Sequence, residues 1–143
     1  MPKFYIDHGT EAAARFYASL DGFTRGYIEA LFFTDASDPD DGELAHATVA
    51  ELAPETIAKI IGDCETFQSA NAALLDRAYQ LGEAQASYDD IRAGRDFWFT
   101  RNGHGVGFWD RGLGEVGELL TEACRGFRMI DLYQGDDSLI YLV

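Results

Sequence analysis

Residues 96–110 read DFWFTRNGHGVGFWD. The pattern has a period of two on both sides of the Asn102-Gly103 pair, with Phe97, Phe99, Val106 and Phe108 on one predicted face, which is typical of a β-hairpin. Asn-Gly tolerates the positive φ angles of a type I′ turn, so we predict two antiparallel strands joined there. In that register Trp98 lies over the bare backbone of Gly107, as an aromatic side chain shields a strand glycine.

Upstream of this stretch the pattern is helical. Thr10 can cap a short amphipathic helix that ends at Asp21-Gly22, and Thr24 can cap a second helix. Residues 35–43 then carry five acids and no base. Such a run cannot bury a face, so we predict a loop there.

A long helix is predicted to begin at Pro54, where proline suits the first helical position. Apolar residues keep three-and-four spacing for more than six turns as far as Leu81, and Gly82 is a suitable end. Residues 44–53, just before this helix, fit either a short strand or an extended connector.

The remaining chain predicts one more helix and one more hairpin. The helix covers residues 113–127, and the strands of the second hairpin cover 129–133 and 139–143. Helices followed by strand-strand-helix-strand-strand predict an α+β fold, in which the helical N-terminal two-thirds pack on a small antiparallel sheet of about four strands. No linker or repeat divides the chain, so we expect residues 1–143 to form a single domain.

The composition is that of an acidic globular protein of 143 residues. Asp and Glu number 25 against 11 Lys and Arg, which gives a net charge of −14. This sign disfavours direct binding to nucleic acid or to an anionic membrane, because such binding relies on Lys and Arg. The N-terminus lacks the apolar run of a signal peptide, so we expect a cytoplasmic protein.

The acidity is concentrated in the first ninety residues, which carry a net charge of −12 against −2 for the rest. Carboxylates on a rigid helical scaffold can imitate the phosphates of a duplex, about 1.7 Å of axis apart, and so bind a basic groove on a nucleic-acid-binding protein. The alternative, that acidity only keeps a small protein soluble, is equally open. The candidate partner-binding residues are Asp35, Asp38, Asp40, Asp41, Glu43, Glu51 and Glu55.

Neither a metal nor another cofactor is expected. An EF-hand register that places Gly42 sixth would put Pro39 at a ligand position and Thr48 where the bidentate Glu belongs. Cys64 and Cys124 lie far apart in apolar helical surroundings, so we predict two buried small hydrophobes rather than a disulfide or a metal site.

A catalytic cluster is conceivable around His104, since Asp110, Arg101 and Asp96 lie on or beside the same predicted hairpin. A general base needs a partner within hydrogen-bond reach and a defined cleft. A structural role or a contact with a partner is the more economical interpretation, and we expect no enzyme activity.

The same hairpin has the composition of a nucleic-acid stacking platform. Its aromatic residues are interleaved with arginines, which gives a second candidate surface for nucleic acid or a nucleoprotein: Trp98, Arg101, His104, Trp109 and Arg111, with Arg95 beside them. The alternative is that these aromatics fill the core under the long helix, with Trp98 and Trp109 partly exposed.

Residues 96–112 also form a distinctive motif, D-F-W-x-T-R-N-G-H-G-x-G-F-W-D-R-G, of which this chain has every fixed position. In this the chain resembles a family of small acidic proteins from bacteriophages and prophages. The resemblance implies a phage or mobile-element product in a bacterial cytoplasm, and it assigns no catalytic residue. Such small acidic phage proteins are often anti-CRISPR or antirestriction proteins, so the resemblance and the acidity together predict a DNA-mimicking inhibitor of a host defence protein.

Overall fold

The computed structural model describes residues 6–35, 47–85 and 87–143, and in these residues six α-helices are followed by a small β-hairpin. No helix in the described ranges is long and apolar enough to span a membrane. The elements are α1 (Glu11–Ser19), α2 (Gly22–Asp35), α3 (Pro54–Ala70), α4 (Ala72–Gln85), α5 (Asp90–Arg101), α6 (Glu115–Ala123), β1 (Leu132–Gln134) and β2 (Ile140–Leu142).

Helices α2 and α5 form the centre of the fold and run in the same direction. Asp90 lies beside Gly22 at one end, and at the other end Trp98 donates a hydrogen bond to Thr34. The two backbones approach closely, because a Cβ built on Gly94 would overlap the carbonyl of Phe23 and one on Gly26 would overlap that of Ile91. Glycine is therefore needed at both positions for this pair to form.

The N-termini of these two helices are capped by aspartates. The Asp21 carboxylate accepts a hydrogen bond from the Thr24 amide at 2.7 Å, and that of Asp89 accepts one from the Arg92 amide at 3.0 Å. Each cap satisfies an amide that has no partner within its helix. The cap predicted at Thr24 for the second helix is thus three residues late, whereas the cap of α1 by Thr10 is confirmed, at 3.1 Å from the Ala13 amide.

The hairpin predicted over residues 96–110 is wrong, because α5 continues through this stretch to Arg101. Asn102-Gly103 ends the helix instead of turning a hairpin, with Gly103 at φ 65 and its amide bonded to the Thr100 carbonyl at 3.3 Å. A left-handed glycine just after the last turn is a common helix end. The chain then passes through an irregular segment and a short 3-10 turn, Phe108–Asp110.

The helix predicted from Pro54 to Leu81 is two helices rather than one. Asn71 separates α3 from α4 with φ −122 and ψ 24, and its side-chain amide donates to the Phe67 carbonyl at 2.9 Å. Helix α4 then continues past Gly82 to Gln85. The apolar spacing runs through the break unchanged, so it carries no sign of the bend.

The second hairpin is confirmed, with Tyr133 opposite Tyr141 in an antiparallel pair. The segment left open at 44–53 is described from residue 47 onward and forms a 3-10 turn, Val49–Glu51, followed by a parallel bridge from Leu52 to Ile140. In the described residues the sheet has two strands rather than four. The fold is therefore mostly helical, with a small antiparallel sheet.

The core is largely aromatic and is centred on Phe67 of α3. The ring of Phe97 stacks on it at 4.3 Å between centroids, and that of Phe108 at 5.7 Å. Cys64 and Cys124 are buried, as predicted, and both are free thiols. Burial raises the pKa of the Cys124 thiol to about 12, so this thiol stays protonated and inert near neutral pH.

Candidate functional site

The two ends of the motif are held together by an ion pair. Asp96, 1% exposed, accepts hydrogen bonds from the Arg111 guanidinium at 2.7 and 3.0 Å and from the Tyr88 hydroxyl at 2.7 Å. Burial raises the pKa of Asp96, while the guanidinium and the hydroxyl offset part of that rise. This pair fixes the irregular segment after α5 against the helix itself.

Arg101 lies in the core rather than on a binding surface. Its guanidinium donates to Asp63 at 2.8 Å and to the Arg128 carbonyl at 2.7 and 3.0 Å. The same group lies over the rings of Phe97 and Phe127, at 5.6 and 5.4 Å from their centroids. Through these hydrogen bonds and ring contacts, the Arg101 side chain joins α5, α3 and the segment before β1.

The other members of the predicted stacking surface are also largely turned inward. Trp98 is fully buried, and its indole donates to Thr34 Oγ1 at 2.8 Å, so the prediction that it is partly exposed is wrong. Arg95 donates to Glu29 at 2.6 and 2.9 Å. Trp109 is 45% exposed, which confirms the prediction for that residue.

The cluster considered for catalysis is not assembled. His104 is exposed, with its ring near those of Trp98 and Phe99. Arg101 and Asp96 are buried in the contacts described above, so neither is available to orient the imidazole. Asp110 is exposed on the 3-10 turn that follows.

The acidic residues singled out from the sequence belong to separate parts of the chain. Asp38, Asp40, Asp41 and Glu43 lie outside the described residues, and Asp35 is the last residue of α2. Glu51 is a cap, since its carboxylate accepts from the amide and the hydroxyl of Thr48 at 3.1 Å each. Glu55 is exposed in the first turn of α3.

The structure adds an acidic patch that sequence reasoning missed. The four exposed carboxylates of Asp21, Asp76, Asp89 and Asp90 surround Tyr79, and together with burial, the largest cause, they raise the pKa of its hydroxyl. Three of them lie at the adjoining N-termini of α2 and α5. No local signal in the sequence could reveal this, because the patch exists only once the two helices pair in parallel.

The described surface is strongly acidic as a whole. Fifteen Asp and Glu residues are exposed against six Lys and Arg, and four of those six cations are ion-paired: Arg15 with Glu11, Lys59 with Asp63, Arg111 with Asp96, and Arg125 with Glu122. Even so, no three His, Cys, Asp or Glu residues of the described ranges are grouped so as to hold a metal ion. The arrangement therefore suits long-range attraction of a cationic surface rather than chelation.

Comparison of the chain with protein-family models, with curated proteins and with solved structures found no match in any of the three.

Proposed function

We propose that this chain is a phage or mobile-element protein that inhibits a bacterial defence system in the host cytoplasm. It does so by binding, through exposed carboxylates, to a basic groove in which a restriction enzyme or a CRISPR complex would otherwise hold nucleic acid. The protein is a ligand for that groove and performs no chemistry.

The observation that carries the proposal is that three arginines are bound to carboxylates of the fold. Arg95, Arg101 and Arg111 belong to the nearly neutral part of the sequence, and all three are bonded to carboxylates of the fold. The cations that a nucleic-acid-binding surface would need are thus neutralised by carboxylates of the same protein, which leaves the described surface acidic. A basic groove is the complement of such a surface.

The patch around Tyr79 supplies the rigid part of the mimic. Asp21 and Asp89 are fixed as helix caps, and Asp90 is fixed beside Gly22, so these carboxylates are positioned before a partner arrives. Preorganised charges lose little entropy on binding. The acids of residues 35–43 and Glu55 add further charge from the neighbouring part of the sequence.

The test is inhibition of defence in a bacterial host that carries a restriction system or a CRISPR complex, scored by phage plating. Two neutralised variants are compared with the natural chain: D38N/D40N/D41N/E43Q in the loop, and D21N/D76N/D89N/D90N in the patch. Asn replaces Asp well as a helix cap, so the patch variant keeps its fold. If each exposed carboxylate contributes about 0.3–0.5 kcal/mol of binding free energy, neutralising four of them should lower the affinity for the target complex about tenfold.

The matched control neutralises four exposed acids elsewhere, as E11Q/E122Q/D131N/D136N, and carries the same net charge as the other two variants. We expect it to inhibit like the natural chain, and we expect binding of the natural chain to the target complex to weaken as salt rises. Equal inhibition by all four proteins, or a gel shift of DNA by the chain itself, would overturn the proposal.

A further inference from the structure

Trp109 is presented rigidly, although it is 45% exposed. Phe108, the residue before it, is fully buried, and its amide donates to Thr100 Oγ1 at 3.3 Å. Arg111, two residues after it, is held by Asp96. An anchor thus lies on each side of the tryptophan, so the chain cannot withdraw the indole into the core.

The indole is seated against backbone. A Cβ built on Gly107 would lie 2.5 Å from the six-membered ring of Trp109, so one side of the indole packs where that glycine has no side chain. The prediction that Trp98 shields Gly107 is wrong, because Trp109 lies against this glycine instead. A large aromatic side chain that is both exposed and fixed is typical of the residues that dominate protein interfaces.

Exposed carboxylates lie on the same turn as the indole and on the helix that packs beside it. Asp110 follows the tryptophan directly and is exposed, and the turn packs on the first part of α6, which carries the exposed residues Glu115 and Glu118. Arg111, the nearest cation in the sequence, is bound to Asp96 and also lies within electrostatic range of Asp110. A tryptophan among carboxylates suits a cationic side chain, which gains a cation–π contact and an ion pair together.

We propose that Trp109 and Asp110 form a binding site for an arginine side chain of a partner protein. In this site the guanidinium stacks on the exposed part of the indole and pairs with the Asp110 carboxylate. The inference rests on the proposed function for the identity of the partner, since a groove that binds phosphates is lined with arginine and lysine.

The direct test follows the two tryptophan indole N–H signals by NMR while a blocked peptide of glycine and two arginines is added at physiological salt. The same peptide with citrulline in place of arginine removes the charge and keeps the shape. We expect the Trp109 signal to move with the arginine peptide alone, while the Trp98 signal, which belongs to a buried indole bonded to Thr34, stays in place. A Trp109 signal that does not move, or that moves equally with citrulline, would overturn the site.

Variants extend the test to the target complex. We expect Trp109→Ala to weaken binding of the peptide and of the complex about tenfold, and Trp109→Phe to weaken it less, since phenylalanine keeps a smaller ring. Met129→Ala, at a 71% exposed apolar residue of another segment, is the control and should change neither. If the neutralised loop and patch variants lose inhibition while Trp109→Ala keeps it, the site fails and the proposed function stands. If the peptide results hold but the chain inhibits no defence system, the proposed function fails and the site stands.

Discussion

Two segments with a similar hairpin signature have opposite outcomes. Residues 129–143 form the predicted hairpin, whereas residues 96–110 contain the end of a helix and an irregular segment. The first of these segments lies at the edge of the fold. Its apolar and polar residues alternate because one face of the hairpin, which carries Tyr133, is exposed to solvent and the other packs on the core. In the second, the part that belongs to α5 is packed on nearly all sides. Alternation is informative only where one face of an element meets water.

The largest test of this comparison is at the glycines of the two segments. Gly94→Ala would push a methyl group into the Phe23 backbone and separate α2 from α5, at a cost of about 3 kcal/mol. Gly135→Ala in the hairpin meets only the movable side chains of Tyr141 and Asp137, so we expect a smaller loss. Chemical denaturation measures both free energies of unfolding.

The control for these substitutions is Gly62→Ala on α3, where an added Cβ meets nothing within 4 Å. Alanine favours a helix over glycine, so this variant should gain about 0.5–1 kcal/mol. If Gly94→Ala were as stable as Gly62→Ala, the close approach of α2 and α5 would be refuted.

The second test removes a charge from each segment. Asp96→Asn leaves the Arg111 guanidinium without its carboxylate in a half-buried place, and we expect a loss of about 2 kcal/mol in the free energy of unfolding. Asp137→Asn changes an exposed carboxylate of the hairpin and should lower the melting temperature far less. Equal shifts in melting temperature for the two variants would contradict the idea that only the first segment holds the fold together.

The failure at residues 96–110 has an identifiable cause. In α5, Asp96, Phe97, Trp98, Phe99 and Arg101 are all buried, and a helix that is buried on all sides shows no helical period. Because no helical periodicity is visible in this stretch, the prediction depends on the Asn102-Gly103 pair. An Asn-Gly pair occurs at the end of a helix as well as in a hairpin turn. Asp89 and Asp90 are typical of the start of a helix, so they are the local signal that favours a helix over a hairpin here.

The second hairpin was predictable because its information is local. Gly135 and Ser138, which has a φ of 66, lie in the turn between short strands, and the register then follows from the strand pattern. The candidate site was harder to predict from the sequence. The acidity of the first ninety residues is visible in the sequence, whereas the carboxylates that bind Arg95 and Arg101 lie 66 and 38 residues away and required the fold.

A third test separates the hairpin from the helical core. The Thr56 hydroxyl is buried and donates to the Ile140 carbonyl at 2.7 Å, which ties β2 to α3. Thr56→Val keeps the shape and removes this bond, so we expect a loss of about 1 kcal/mol. Hydrogen exchange should show faster exchange at the hairpin amides and unchanged exchange in α5. Faster exchange in α5 as well would mean that the hairpin is part of the central cooperative unit.

The smallest effect concerns two carboxylates whose pKa values move in opposite directions. Burial raises the pKa of Asp96 above the ordinary 3.8, whereas hydrogen bonds from the Tyr141 hydroxyl and the Leu139 amide lower that of Asp137. Apart from its ion pair with Arg111, the pH-dependent contribution of Asp96 to stability is therefore full below pH 3.8 and is lost as the pH rises through its higher native pKa. That of Asp137 is present above pH 3.8 and is lost as the pH falls. Carbon-13 NMR of the side-chain carboxyls measures both midpoints.

Two tyrosine variants make this titration diagnostic. Tyr141→Phe removes a hydrogen bond from Asp137 and should return its pKa toward 3.8, with the Asp96 titration unchanged. Tyr88→Phe removes the 2.7 Å bond to Asp96 and should raise the pKa of Asp96 further, with Asp137 unchanged. A common shift in both carboxylates would show that the whole charge of the molecule governs them. Separate shifts would show that each segment controls its own carboxylate through its own contacts.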